Sequence, residues 1–243
     1  MAITVFALKQ QVQRGNRAAK GQGMRRSAWI QMVTAVCALA ASSAAPARMR
    51  LADWVVEAED PAARVSERAG VIDIDTAKGL TLWLRRPVTS PVVIRFEAMA
   101  VRAGGANDMV SDLNAFWMAR DDDGGSVLRH PRSGAFADYD SLRTYYVGIG
   151  GNRNSTTRFR RYVGRAGVRP LRPEHDKRDA ADMLKPNRWT TIRLIADGRT
   201  IAVDRSGRRL FTLDDPAPYA SGQFGLRTTW SHLRIRRLSI TRR

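Results

Sequence analysis

The chain has 243 residues with 41 Lys and Arg against 23 Asp and Glu, a formal net charge of +18, and is 44% hydrophobic and 26% charged. That balance is ordinary for a globular protein except in its basic excess. The single cysteine, Cys37, lies near the N terminus, so disulfides and thiol catalysis are excluded from everything that follows it.

Residues 1–47 read as a leader. Met24-Arg25-Arg26 opens a basic start, Ala28 to Ala41 is apolar, and Ala45-Pro46-Ala47 offers a small-residue cleavage site before Arg48. Cleavage nearer Ala44 is the alternative. The apolar stretch is short for a membrane span, and Val36 before Cys37 argues against a lipoprotein. Met24 is the expected start, with 1–23 an over-extended N terminus; a real basic tail ahead of a signal anchor is the competing reading. These features imply a periplasmic or secreted protein, not stably inserted in a membrane after cleavage. Residues 48–243 are then expected to form one domain, in which 35 basic residues face 23 acidic ones, a net +12. The oligomeric state is left open.

Short strands recur after Arg48, punctuated by turn residues. Gly70 to Asp75 and Leu80 to Leu84 come first. Pro91 to Val101 alternates, with Val92, Ile94, Phe96 and Ala98 on one face. Leu113 to Ala119, Thr144 to Ile149 and Thr156 to Val163 follow. Trp189 to Ala196 and Thr200 to Val203 form a hairpin around Asp197-Gly198. Arg209 to Leu213, Gly222 to Thr229 and Leu233 to Ile240 close the chain, the last with a parity change that predicts a bulge near Arg236. The one helical expectation is a short turn between Asp179 and Leu184. About eleven short strands in under 200 residues predict an all-β sandwich or barrel.

Residues 139–162 concentrate five Arg, four Tyr, two Asn and three Gly. By alternation Tyr145 and Val147 share one face of their strand, and Tyr146 and Gly148 the other. Arg158, Arg160 and Tyr162 share a face opposite Phe159 and Arg161. Two guanidiniums and a phenol in a row, next to Asn152 and Asn154, can hold a carboxylate and stack on a sugar ring; a solvated outer face of Arg–Asp pairs is the plainer reading. Asn107, Asp108, Asp112 and Asn114 flank the strand that contains Trp117. Alternation places Asp112, Asn114, Phe116 and Met118 together, so this group marks either a rim for ligand hydroxyls or a set of turn caps. Asp121-Asp122-Asp123-Gly124-Gly125 lacks the spacing of a calcium loop and reads as an acidic turn. The histidines have no metal-ligand spacing. His232 is either a proton-transfer group with Arg227 beside it or a structural histidine. No metal and no cofactor is expected.

The closing order of strands resembles that of concanavalin-A-like jelly rolls. Three blocks, Gly104 to Ala119, Tyr139 to Tyr162 and Phe224 to His232, together with Pro170-Leu171 and Leu184 to Asn187, resemble a family of secreted bacterial proteins of unknown function found alongside polysaccharide-degrading enzymes. The resemblance covers roughly residues 51–243. It implies a jelly-roll sandwich of two antiparallel sheets and a carbohydrate context, and it brings no catalytic residues with it.

Within that fold, retaining glucanases use a Glu-x-Asp-x-x-Glu array, which is missing here; beyond the leader, Glu occurs only at 57, 59, 67, 97 and 174. Jelly-roll lyases use a Tyr or His with an Arg or Asn that neutralises a uronate carboxylate, and these types are plentiful. The leading expectation is a protein acting on acidic, uronate-containing saccharide by lyase-like β-elimination, with Tyr146, Tyr162 or His232 as base and acid. Substrate contacts would come from Asn107, Asp112, Asn114, Tyr145, Asn152, Asn154, Arg158, Arg160 and Arg227. A non-catalytic carbohydrate-binding module on the same face, or a glycoside hydrolase, is the alternative. Nucleic-acid binding by the basic stripes is disfavoured by the leader and the family context.

Overall fold

A computed structural model describes residues 50–242. The leader expected over 1–47 lies outside the described residues.

Among the described residues, fifteen strands form two antiparallel sheets. In chain order they are β1 (Trp54–Ala58), β2 (Arg64–Arg68), β3 (Val71–Thr76), β4 (Leu80–Leu84), β5 (Val88–Thr89), β6 (Val92–Ala100), β7 (Leu113–Arg120) and β8 (Arg143–Gly150). Then come β9 (Thr156–Val163), β10 (Asp176–Lys177), β11 (Thr190–Asp197), β12 (Thr200–Arg205), β13 (Arg208–Asp214), β14 (Ser221–Thr228) and β15 (Ser231–Arg242). The eight-stranded sheet runs β1-β4-β14-β7-β8-β9-β10, with β5 paired to β14; the seven-stranded sheet runs β13-β12-β11-β6-β15-β3-β2.

The alternation read from sequence sets which side chains meet between the sheets. Ile72, Ile74, Ile94, Phe96, Ile192 and Leu194 from one sheet pack with Leu82, Trp117, Val147, Phe159, Phe224 and Leu226 from the other, all essentially excluded from solvent. Each such side chain contributes about 1.5–3 kcal/mol. The expected bulge is present: the β15–β6 register shifts between Arg236 and Ser239, and Arg237 has φ 54°. The helical turn expected near Asp179 is a single 3-10 turn, Ala180–Asp182.

Four strands were not foreseen. β1 and β2 carry charged residues and bury few positions, as edge strands do, and β5 and β10 are two residues long. Alternation also misplaces Met118. The β7–β8 register shifts after Trp117 and Met118 takes φ 56°, so its side chain joins Trp117 in the core between the sheets.

A second apolar cluster lies on the outer face of the eight-stranded sheet. Trp83 of β4, Phe116 of β7, Tyr146 of β8 and Tyr162 of β9 form a row across the strands, covered by Val127, Tyr139 and Leu142 from the β7–β8 connection. Glu57 of β1 anchors that cover. It is buried and accepts from Trp83 Nε1 (2.9 Å), the Tyr139 hydroxyl (2.8 Å) and the Arg132 backbone N–H (3.0 Å). The acidic turn serves the same segment: Asp121 pairs with Arg132 and His130, and Asp123 with Arg129.

Candidate ligand-binding cleft

The rest of this outer face is a cleft of about 550 Å³. Its floor is the next row of outward positions, Arg227 on β14, Asn114 on β7, Gly148 on β8 and Arg158 on β9, bordered by Tyr146 of the aromatic row and Arg160 beside it. Asp112 stands at the head of β7 with φ 56°, a conformation that Asp adopts more readily than most residues. Gly148 is required by closeness: a Cβ there would come within 2.5 Å of the Tyr146 hydroxyl and 2.9 Å of Asn114 Oδ1. These two groups therefore converge over a bare stretch of backbone.

Two floor groups are incompletely satisfied, Arg227 and Asn114. Arg227 is 3% exposed and forms no ion pair among the described residues; it donates to the Gly134 carbonyl (2.6 Å) and Thr81 Oγ1 (3.2 Å), under the rings of Phe136 and Tyr139. Burial pulls its pKa down. Asn114 is buried and its Oδ1 accepts nothing, while its Nδ2 reaches Asp112 Oδ1 at 3.5 Å. Burial raises the Asp112 carboxyl above its ordinary value, against the pull of Ser111, Asn114 and the Arg227 charge. The Tyr146 phenol is pushed up by burial and by the Tyr162 and Asp112 charges.

A raised Asp112 has a consequence for stability. The folded state holds this proton more tightly than the unfolded chain does, so Asp112 removes stability as pH rises through its raised pKa. Asp112→Asn should increase the Tm at neutral pH and leave it unchanged below the carboxylate range. An equal Tm change at both pH values would show that ionisation is not the cause.

The arginines of β9 are more occupied than the sequence suggested. Arg158 pairs with Asp176 of β10 through Nε (2.8 Å) and Nη2 (3.2 Å), and Arg160 donates to the Arg169 and Pro170 carbonyls. Both line the cleft, as does Asn152, whose Nδ2 donates to Thr156 Oγ1.

Five expected site residues lie elsewhere. Tyr145 points between the sheets, its hydroxyl donating to Asp215 (2.7 Å) beside Arg161, because strand parity places it opposite Tyr146. Hydrogen bonds from Tyr145 and Arg161 outweigh burial and hold Asp215 below the usual carboxylate range. Tyr162 faces outward as expected but is sealed beneath the β7–β8 connection, and burial pushes its phenol up to about 12. His232 is on the other sheet, with Nδ1 2.9 Å from Asp108 and Nε2 2.9 Å from Asp73. Asn107 bonds Asp75 on that same sheet, so both residues fasten the β6–β7 loop. Asn154 is spent on the Leu184 backbone, accepting from its N–H and donating to its carbonyl.

Other lining residues were missed: Glu59, Phe136, Arg153, Arg169 and Trp230. Trp230 lies in the β14–β15 turn with φ 47°, is half exposed, and has the Arg153 guanidinium 5.9 Å from its ring centre. An aromatic residue in a tight turn between two well-patterned strands was the sequence signal for it.

Residues 74–238 match a family described as a domain of unknown function, DUF6250. The chain belongs to the DUF6250 family. No curated protein matches this DUF6250 chain. Among solved structures, a protein of unknown function with a galectin-like fold from Bacillus subtilis is 15% identical, with a TM-score of 0.60, over 82% of this chain and 95% of that one. The carbohydrate-binding module CBM66 from Bacillus subtilis is 8% identical at a TM-score of 0.53, over 77% and 94%. The Emp46p carbohydrate recognition domain is 11% identical at a TM-score of 0.50, over 79% and 88%. At these identities the likeness is one of fold: the DUF6250 domain is a galectin-like, concanavalin-A-like sandwich of two antiparallel sheets.

Proposed function

We propose that this cleft binds an acidic saccharide, as a carbohydrate-binding domain. The observation that carries the reading is Arg227, a buried cation with no ion pair among the described residues, reached by Asp112 and Glu59 only through their charge, which lines the same cavity as an orphaned amide oxygen and an exposed tryptophan. A buried charge left uncompensated is costly, and a carboxylate supplied by the ligand would complete it. Asn114 Oδ1 would accept from a sugar hydroxyl, and Trp230 would stack on a ring face. The fold shared with proteins named for carbohydrate binding supports this reading. Gels cast with uronate polymers and with neutral glucans test it. Retardation by a uronate polymer alone is the expected result, and free migration through every polymer together with no calorimetric binding of uronate oligomers would overturn it.

Trp230 provides a prediction that separates binding from folding. Trp230→Ala should weaken saccharide binding by about 0.5–1.5 kcal/mol, the scale of one aromatic face contact. The Tm should stay unchanged, because half of the ring is already in water. Titration calorimetry and a thermal melt on the same sample check both.

Lyase-like β-elimination is the second reading, favoured by Tyr146, Asn114 and Arg227 sharing one cleft. Arg227 would neutralise the carboxylate and Tyr146 would exchange the proton. Tyr162 and His232 have no part in it. A rise in the ultraviolet absorbance of an unsaturated uronide, abolished in Tyr146→Phe, would establish it. A periplasmic or secreted location belongs to the same proposal; recovery of a chain starting at Arg48 from either compartment tests it.

A further inference from the structure

The cleft is walled on two sides. Towards β4 and β1, the Glu59 N–H donates to the Gly79 carbonyl (2.9 Å) and the Gly79 N–H to Glu59 Oε2 (3.0 Å). Gly134, from the β7–β8 connection, lies directly on this pair. A Cβ on Gly79 would collide with the Gly134 carbonyl, and a Cβ on Gly134, at φ 95°, would come within 2.5 Å of the Glu59 nitrogen. Only two glycines allow backbone to rest on backbone here. That same Gly134 carbonyl accepts from Arg227, and Phe136, two residues on, covers the guanidinium.

Along the strands, the row of Trp83, Phe116, Tyr146 and Tyr162 under its cover forms the second wall. Of the exposed lining residues, Trp230, Asn152 and Arg153 stand in the turns at the other ends of the strands, while Glu59 lies against the Gly79–Gly134 contact and Arg169 is held by Asp140 of the β7–β8 connection. A polymer crossing the sheet from β10 to β1 would run into Gly134. The volume, about 550 Å³, is on the scale of a small-molecule pocket, roughly 300–1,000 Å³.

We infer that the cleft takes the end of an acidic saccharide chain and not a stretch of its interior. The terminal residue sits over Gly148 with its carboxylate at Arg227 and a hydroxyl on Asn114 Oδ1, and the chain leaves past Trp230. This rests on the carbohydrate-binding reading and narrows its ligand to chain ends.

Calorimetric titration with size series of galacturonate, glucuronate and mannuronate oligomers, from dimer to polymer, tests it. The expected result is one protein bound per saccharide chain at every length in the series that binds. A stoichiometry that climbs in proportion to chain length would overturn the inference while leaving carbohydrate binding intact. If no series binds but a neutral oligomer does, the acidic ligand is wrong and the inference falls with it. If nothing binds at all, the carbohydrate reading itself fails.

Discussion

Arg227→Met should abolish most acidic-saccharide binding while leaving the protein as stable as before, or more so. The guanidinium is buried, has no carboxylate partner and is hydrogen-bonded only to a carbonyl and a hydroxyl. Removing one side of a desolvated charge pair costs about 2–5 kcal/mol of binding, roughly thirtyfold to several thousandfold. Met keeps much of the bulk under Phe136 and Tyr139 and removes a desolvated charge, which offsets the two lost hydrogen bonds. Affinity by calorimetry and stability by urea titration are the paired measurements. A variant that loses both together would make Arg227 structural; one that loses neither would remove it from the site.

Glu57→Ala is the largest expected loss of stability. The substitution removes the acceptor of two buried donors, Trp83 Nε1 and the Tyr139 hydroxyl, and of the part-buried Arg132 N–H. At about 1–3 kcal/mol for each of the two buried groups, the total is at least about 2 kcal/mol. The damage should spread to the cleft, because Glu57 is what fastens the β7–β8 connection to the sheet, and that connection supplies Gly134 and Phe136. Urea titration of wild type and variant gives the stability difference. A loss below about 1 kcal/mol would mean that water replaces the carboxylate and the cover is not held there.

Strand parity was legible wherever the pattern was clean. Arg158 and Arg160 face outward and Phe159 inward as period two requires, and Tyr146 and Tyr145 part to opposite faces. What alternation could not supply was the cover over the sheet. The β7–β8 connection has no periodic pattern, so nothing local indicated that it would seal Tyr162 and leave Tyr146 at the edge of a cleft. Long-range pairing decided the arginines in the same way. Asp176, on a two-residue strand, claims Arg158, whereas Arg227 has no ion pair among the described residues and Glu59 accepts from the Gly79 N–H. The sequence left His232 either a proton-transfer group beside Arg227 or a structural histidine, and the topology puts it on the other sheet, between Asp73 and Asp108.

The positions of β14 and β15 have a bearing on how the fold is reached. Each lies inside its sheet, β14 between β4 and β7 and β15 between β6 and β3. Until those strands are in place each sheet is split, β1-β4 from β7-β8-β9-β10 with β5 unattached, and β13-β12-β11-β6 from β3-β2, with open inner edges and unpaired backbone groups. A nascent chain that lacks the segment from Ser221 onwards has Phe224, Leu226, Leu233 and Ile235 missing from the core. Folding is therefore expected to be all-or-none and to wait for β14 and β15, and truncations that remove β15 should leave a protease-sensitive chain, not a smaller stable domain.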